Sequence, residues 1–252
     1  MDNNQNYFFN QENEQPYFKI PNNKIHSIQI ELLNEYYKLN THDESYFLIK
    51  GNTLSEKDYE LIVKPNTLIF KRNDQHTISH EPYGEGQELS IFLPKNVLLR
   101  EFHFSSKTGE GTLSNVDADQ INISIISGEL SLDHIEASNF SLQTTSGEVN
   151  LTHLSSSNAT FKTTTADIEL SHINIKNAIK CISVEGDIDI EDGFAQELFF
   201  QTESGDFDGK EFYPNTISFE SIDGDLDIKN KKKEHDIIIK SKQTIEGEIN
   251  IK

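Results

Sequence analysis

The chain has 252 residues, of which 42 are acidic and 22 are lysine or arginine, giving a formal net charge of −20. A surface of this sign repels phosphate backbones and anionic lipids, so nucleic acid and membrane surfaces are poor partners. The only cysteine, Cys181, excludes an intramolecular disulfide and any metal site built from several cysteines. The apolar fraction of 35% is low, as expected for a thin fold that has much surface for its core.

The first segment, residues 1–22, is rich in asparagine and glutamine, and we expect it to form a polar, flexible arm or an end cap. It lacks a basic stretch followed by an apolar one, so no signal peptide is predicted. No run approaches the roughly 18 consecutive apolar residues of a membrane span. The prediction is a cytoplasmic protein without direct membrane insertion, with surface association through a partner as an alternative.

The second segment, residues 23–98, contains five short stretches of alternating hydrophobicity that predict strands. They read KIHSIQIEL, YFLIKG, YELIVKP, TLIFKR and QELSIFLP. Their spacing is irregular, so we expect either irregular first rungs of the fold that follows or a small β cap. A cap is physically useful because the terminal rung of a stacked β fold exposes core side chains and unpaired backbone groups.

The third segment, residues 99–252, repeats with a period of about 19 residues. Each repeat has a small anchor residue followed by an acid. The anchors are Gly109, Gly128, Gly147, Ala166, Gly186, Gly205, Gly224 and Gly247. Apolar residues recur two and four positions after the anchor, and five and seven before it, with polar residues between them. This alternation predicts strands with one buried face, stacked as an all-β parallel solenoid with rungs of about 19 residues.

Two features of the repeat carry structural predictions. Glycine at the anchors predicts a tight turn with positive φ, to which Ala166 is the exception. The position of Cys181, five residues before an anchor, is in an inward column, so it is predicted to be a core residue and not a nucleophile.

An acid follows every anchor, so like charges are expected to stack about 4.8 Å apart. The excess of negative charge is largest in residues 181–228, which contain fourteen acids and one base. A hard cation such as Ca²⁺ takes oxygen ligands and would relieve the repulsion, which makes Asp187, Asp206 and Asp225 candidate ligands. The alternative is that turn acids accept backbone N–H bonds and otherwise project into solvent.

A histidine ladder is expected six positions after successive anchors, at His134, His153 and His172. The same column continues with Asp192 and Glu211. Imidazoles on adjacent rungs are able to share Zn²⁺ or a similar metal ion. The alternative is that repetition alone produces a row of identical exposed side chains, which needs no metal and no cofactor.

Asp189, Asp208 and Asp227 share one outward face, and paired carboxylates perform glycosidic chemistry in enzymes. These residues are therefore considered as candidate catalytic carboxylates. The rungs are uniform and the turns are short, so nothing is expected to enclose a substrate. We therefore predict no catalytic residues. A carbohydrate-active β-helix enzyme, or a glycan- or calcium-binding adhesin, is the alternative function.

The repeated unit (Ser/Thr)-x-Ser-Gly-acid-apolar-x-apolar, preceded by IFLPKN at residues 91–96, resembles a bacterial β-strand-repeat family. That family is named "putative adhesin"; it is a domain of unknown function to which LiaG-like proteins of cell-envelope stress operons also belong. The resemblance covers about residues 25–252. It implies a right-handed β-solenoid and supplies no catalytic residues.

The functional prediction is a non-catalytic interaction or scaffold module of an envelope-associated or regulatory system, with a protein as its partner. Flat stacked faces offer a protein-binding surface. The C-terminal rung is expected to pair with a partner strand or end to end with another copy. Aromatic residues fall mostly in inward columns, which favours protein over sugar as the ligand.

Overall fold

The computed structural model describes residues 7–10, 15–22, 24–52, 54–73, 87–95, 97–231 and 236–252. In these ranges the chain forms strands and no helix, so none of them holds a helix suited to crossing a membrane. The strands are β1 (Phe8–Asn10), β2 (Tyr17–Pro21), β3 (Ser27–Glu31), β4 (Tyr36–His42), β5 (Tyr46–Gly51), β6 (Tyr59–Lys64), β7 (Thr67–Arg72), β8 (Glu88–Pro94), β9 (Leu99–Ser106), β10 (Glu110–Ile125), β11 (Glu129–Gln143), β12 (Glu148–Lys162), β13 (Asp167–Ile182), β14 (Ile188–Gln201), β15 (Phe207–Ser221), β16 (Leu226–Lys229), β17 (Ile238–Thr244) and β18 (Ile249–Ile251).

The regular body of the molecule consists of β10 to β15, which pair in parallel with their neighbours. Paired residues are one rung apart: Leu113 pairs with Leu132, which pairs in turn with Leu151. The single 20-residue step of the repeat is absorbed by a β-bulge between Ile175 and Ala178. These pairings confirm the predicted all-β parallel solenoid with rungs of about 19 residues.

The core of the solenoid is built from columns of like residues that stack from rung to rung. One column, five residues before the anchors, is at most 3% exposed in every rung from β9 to β15. It contains Phe104, Ile123, Leu142, Phe161, Cys181, Phe200 and Phe219. The predicted core position of Cys181 is therefore confirmed. Burial raises the pKa of its thiol, so the sulfur stays protonated and inert.

The segment 23–98 forms two irregular rungs and part of an antiparallel layer. Strands β3 and β4 pair in parallel with β9 and β10 and form one irregular rung. Strands β7 and β8 pair in parallel with β3 and β4 and form a second rung. Strand β6 pairs antiparallel with β7, and β5 pairs antiparallel with β8. Strand β2 then pairs antiparallel with β5, and β1 with β2. These antiparallel strands form the cap.

A flexible arm and an end cap are the two structures expected for residues 1–22, and the last part of this segment lies in the cap. Tyr17–Pro21 form strand β2, and the side chains of Phe18 and Ile20 are fully buried in the common core. Their alternation of apolar residues is too short to stand out in a polar segment. Residues 1–6 and 11–14 lie outside the described residues.

The anchor glycines are needed mainly because successive corners approach closely. Positive φ occurs at Gly128 (112°) and Gly147 (97°) but at no other anchor. A Cβ placed on Gly186 would lie 2.0 Å from the carbonyl oxygen of Ala166 in the rung before. The predicted left-handed turn at the anchors is therefore wrong for most rungs, and close backbone approach is the physical reason for their glycines.

A column of buried hydroxyls, three residues before the anchors, closes the same corners. It contains Ser106, Thr144, Thr163, Ser183, Thr202 and Ser221. The Oγ1 of Thr163 accepts a hydrogen bond from the backbone N–H of Ala166 at 2.9 Å and donates to its carbonyl oxygen at 2.7 Å. These hydroxyls satisfy backbone groups that the tight corner would otherwise leave buried and unpaired.

Candidate functional site

The histidine column lies at the second corner of each rung, where the backbone adopts the left-handed conformation. Six consecutive rungs have φ between 52° and 63° at this position. The residues are Asn115, His134, His153, His172, Asp192 and Glu211. Asparagine, aspartate and histidine are the non-glycine residues most enriched in this conformation. The composition of the column therefore has a conformational cause, which the spacing alone did not reveal.

The conformational requirement can be tested at His172, where φ is 54°. Replacement by valine is expected to lower the free energy of unfolding by about 1–2 kcal/mol, because a β-branched side chain is strained in the left-handed region. Replacement by asparagine should change it by less than about 0.5 kcal/mol. Urea unfolding followed by circular dichroism measures both, and equal losses would contradict a left-handed corner.

The three imidazoles stack on one another as the spacing predicts. The ring centroids of His134 and His153 are 4.4 Å apart with an interplanar angle of 29°. The rings of His153 and His172 are 5.0 Å apart at 28°. All three side chains are about half exposed, so the ladder is open to solvent and to dissolved ions.

Asp133 joins two of these histidines at a single point. Its Oδ1 lies 2.8 Å from Nδ1 of His134 and 3.1 Å from Nδ1 of His153. The third histidine turns the other way, with its Nε2 3.7 Å from Oδ2 of Asp192. Burial acts to raise the pKa of Asp133, but hydrogen bonds from the two imidazoles outweigh it and lower the pKa. Among the described residues, Asp133, His134 and His153 are the one group of three metal-ligating side chains with ligand atoms within 4.8 Å of one another.

Asp133 was not identified from the sequence, because it belongs to neither the acid column nor the histidine column. The residues that stack on it from the next two rungs are Thr152 and Ser171, so its own column is not acidic. The sequence feature that could have identified Asp133 is its position next to His134. Within the ladder, only His134 is directly preceded by an acid.

The acid column is occupied with backbone hydrogen bonds between rungs. The Oδ1 of Asp187 accepts the N–H of Asp206 at 2.8 Å, and the Oδ1 of Asp206 accepts that of Asp225 at 2.8 Å. The Oδ1 of Asp225 accepts the N–H of Glu248 at 2.7 Å. This arrangement agrees with turn acids that accept backbone N–H bonds. A calcium site at these three carboxylates stays a prediction, and an ion there would compete with these hydrogen bonds.

An acidic groove of about 510 Å³ runs along the outward face after the anchors. Its carboxylates include Asp189 and Asp208, which pair across adjacent rungs. Burial and the neighbouring carboxylates, Asp208 first, raise the pKa of Asp189. The Nζ of Lys229 lies 3.6 Å from Oδ1 of Asp208 and 3.5 Å from Oδ2 of Asp227, so lysines partly neutralise this face. The groove is lined by residues from five successive strands, β12 to β16.

The last rung, formed by β17 and β18, has one free edge within the described part of the chain. There β17 pairs only with β15, and β18 only with β16. Ile239 and Ile251 continue inward columns of the core but are 47% and 39% exposed. In a third inward column, Lys242 pairs with Phe219 and takes the position of an apolar residue. The N-terminal end is closed by the antiparallel cap, so the two ends of the molecule differ.

The uniform parallel rungs and the cap define a parallel β-solenoid. The chain matches the Toastrack DUF4097 family model over residues 2–252 and belongs to that family. The resemblance to a β-strand-repeat family of unknown function is thereby confirmed.

One solved structure shares the fold with this chain at low sequence identity, and a second is less similar. A "putative lipid binding protein" from Parabacteroides distasonis has a TM-score of 0.61 and 13% identity, over 96% of this chain and 98% of that one. A "putative adhesin" from Bacteroides fragilis has a TM-score of 0.48 and 15% identity, also over 96% and 98%. No curated protein gives a significant match.

Proposed function

We propose that this chain is a non-catalytic interaction module that binds an extended segment of a partner protein along its last rung. The observation that carries the proposal is the exposed end of the core. There Ile239 and Ile251 continue inward columns but are exposed, beside a strand edge that has no partner in the described part of the chain. The other end of the same core is covered by strands of the chain itself. The proposal assigns no catalytic role to the acidic groove.

Strand addition supplies the affinity in this proposal. A partner segment lying about 4.8 Å beyond β17 would take the place of a further rung and accept its free backbone hydrogen bonds. Its alternate side chains would cover Ile239 and Ile251, which removes apolar surface from water. Main-chain bonds give affinity in this mode, and the side chains at alternate positions give specificity.

Charge selects the partner. Residues 229–252 contain seven lysines and four acids, in a chain whose net charge is −20. A segment with an acidic side chain opposite Lys242 and apolar side chains over the two isoleucines is complementary to this rung. A second copy is a poorer occupant, because two such rungs facing each other would bring their Lys242 side chains together. In a head-to-tail stack of copies, the last rung of one copy would face the cap of the next and not another open rung.

The proposal predicts that Ile239→Asp strongly weakens partner binding. The tagged chain would be used for affinity purification from its source cells, beside the variants Ile239→Asp and Ile126→Asp. Ile126 is a matched control, because it is 51% exposed but its rung is covered on both sides. Capture by Ile239→Asp should fall at least about tenfold, as for a residue at the centre of an interface. Capture by Ile126→Asp should match the parent.

Two results would overturn the proposal. One is a partner that Ile239→Asp captures as well as the parent does. The other is a dimer of the purified chain that sediments as such and dissociates on Ile239→Asp, since the occupant would then be a second copy. A captured protein that cross-links to Lys242 through an acidic, extended segment would support the proposal.

A further inference from the structure

We propose that Asp133, His134 and His153 form a binding site for a divalent transition-metal ion, with Zn²⁺ as the ion that fits best. The site lies at the left-handed corner of β11 and β12, on the side of the solenoid. It is independent of the last rung and of the partner proposed for it.

Two of the three distances between the ligand atoms are already close to the spacing that a metal requires, and all three atoms lie within 4.8 Å of one another. Bonds of about 2.0–2.1 Å from a tetrahedral zinc ion to nitrogen or oxygen place neighbouring ligand atoms about 3.3 Å apart. The Oδ1 of Asp133 is 2.8 Å from one imidazole nitrogen and 3.1 Å from the other. The carboxylate oxygen therefore needs to move by only a few tenths of an ångström from each imidazole nitrogen, and rotation of the half-exposed imidazoles sets the remaining distance.

The backbone holds the ligands in place without a metal. His134 and His153 have φ values of 54° and 60°, so the two corners present their side chains in nearly the same direction. Strands β11 and β12 pair with a neighbour on both sides, which fixes their separation. The imidazole rings are stacked at 4.4 Å. A site that is organised before binding loses little conformational freedom when the ion arrives.

The ligand chemistry selects the class of ion. Two imidazoles and one carboxylate suit ions of borderline softness such as Zn²⁺, whereas Ca²⁺ prefers six to eight oxygen ligands. The side chains are about half exposed, so an ion has a direct path to the site. The net charge of −20 raises the concentration of cations near the surface. Three protein ligands leave a further position of the ion for water or for a group on another molecule.

The third histidine of the ladder is outside this site. His172 stacks on His153, but its Nε2 lies 3.7 Å from Asp192 and away from the convergence point. This separation provides a matched control. Asparagine is the appropriate replacement in the column, because Asn115 occupies the same corner with φ of 58°. His153→Asn and His172→Asn therefore make the same change one rung apart, and only the first removes a ligand.

Isothermal titration calorimetry of the full chain with zinc chloride tests the proposal. The parent should bind one Zn²⁺ per chain at its strongest site, and His153→Asn should weaken that site at least about tenfold. Asp133→Asn should weaken it as well, and His172→Asn should leave it within about twofold. Calcium chloride should not compete. Equal thermal unfolding of the variants without metal would show that the fold is intact.

The proposal is overturned if the parent shows no saturable zinc binding. It is also overturned if His153→Asn and His172→Asn reduce affinity equally, because binding would then be shared along the ladder or lie at histidines elsewhere. Should one variant unfold, the shift of the His134 imidazole nuclear magnetic resonance signals on adding zinc to the parent decides the question. Absence of a shift at one equivalent contradicts the site.

Discussion

Replacing Glu35 with alanine is expected to lower the free energy of unfolding by about 3–5 kcal/mol, because it leaves a buried cation without its partner. Glu35 is fully buried at the corner between β3 and β4. Its Oε2 accepts the backbone N–H groups of Leu33 at 2.7 Å and Asn34 at 3.1 Å. Its Oε1 accepts the hydroxyl of Tyr59 at 3.1 Å and lies 3.7 Å from Nη1 of Arg72.

The position of Glu35 explains why one residue has so large an effect. It stands where the next rung has the anchor Gly109, and a Cβ on that glycine would lie 2.4 Å from the carbonyl oxygen of Glu35. The corner of Glu35 therefore has the close backbone contact of the regular rungs, and its side chain also closes the turn. Burial raises the pKa of Tyr59, which therefore stays protonated and continues to donate. Loss of the carboxylate leaves two backbone N–H groups without an acceptor beneath the cap and removes the negative charge beside the guanidinium of Arg72. The phenol of Tyr59 and the guanidinium keep the side-chain oxygen of Gln87 as an acceptor.

The matched control is Glu60→Ala in the same cap. The carboxylate of Glu60 lies 2.9 Å from Nζ of Lys71, but both side chains are substantially exposed. An exposed pair contributes about 0–1 kcal/mol, so this variant should unfold close to the parent. Urea unfolding of the two variants measures the difference. Similar losses would contradict a buried, organising role for Glu35.

The second large effect is expected for Gly186→Ala, which should lower the free energy of unfolding by about 3 kcal/mol. The new methyl group would lie 2.0 Å from the carbonyl oxygen of Ala166 and 2.7 Å from its carbonyl carbon. Neither atom is a flexible side-chain end. The corners of two rungs must separate, and the hydrogen bond from the N–H of Glu185 to the carbonyl of Thr164 would lengthen with them.

Gly209→Ala is the control for the change in backbone entropy. The nearest atoms to its added methyl group are in side chains, at 3.2 to 3.4 Å. Its φ is outside the left-handed region, so alanine is accommodated there. The free energy of unfolding should change by less than about 1 kcal/mol. If both glycine variants unfold at the same urea concentration, close corner stacking is not the reason for the anchor glycines.

The body of the fold was predictable because a solenoid converts sequence period into spatial neighbourhood. Residues 19 positions apart, such as Leu113 and Leu132, become direct neighbours, so a column in the alignment is a column in the core. The same property predicted the stacked histidines. It did not predict Asp133, because that residue interacts across columns and its stacking neighbour Thr152 is not acidic.

The N-terminal part was only partly predictable because its order in space differs from its order in the chain. Strand β3 lies between β7 and β9, so Ile28 pairs with both Leu68 and Phe102. Neither separation is a multiple of the repeat, and alternation of hydrophobicity carries no information about which strands meet. The burial of Glu35 was equally hidden, since the partner Arg72 is far from it in sequence.

Hydrogen exchange of the chain, free and in complex with the protein that it captures, tests the central claim most directly. Binding at the last rung predicts that exchange slows in residues 238–251 and that the rungs of β10 to β13 are unchanged. Slowing confined to the side of the solenoid or to the cap, with residues 238–251 unaffected, would contradict the account.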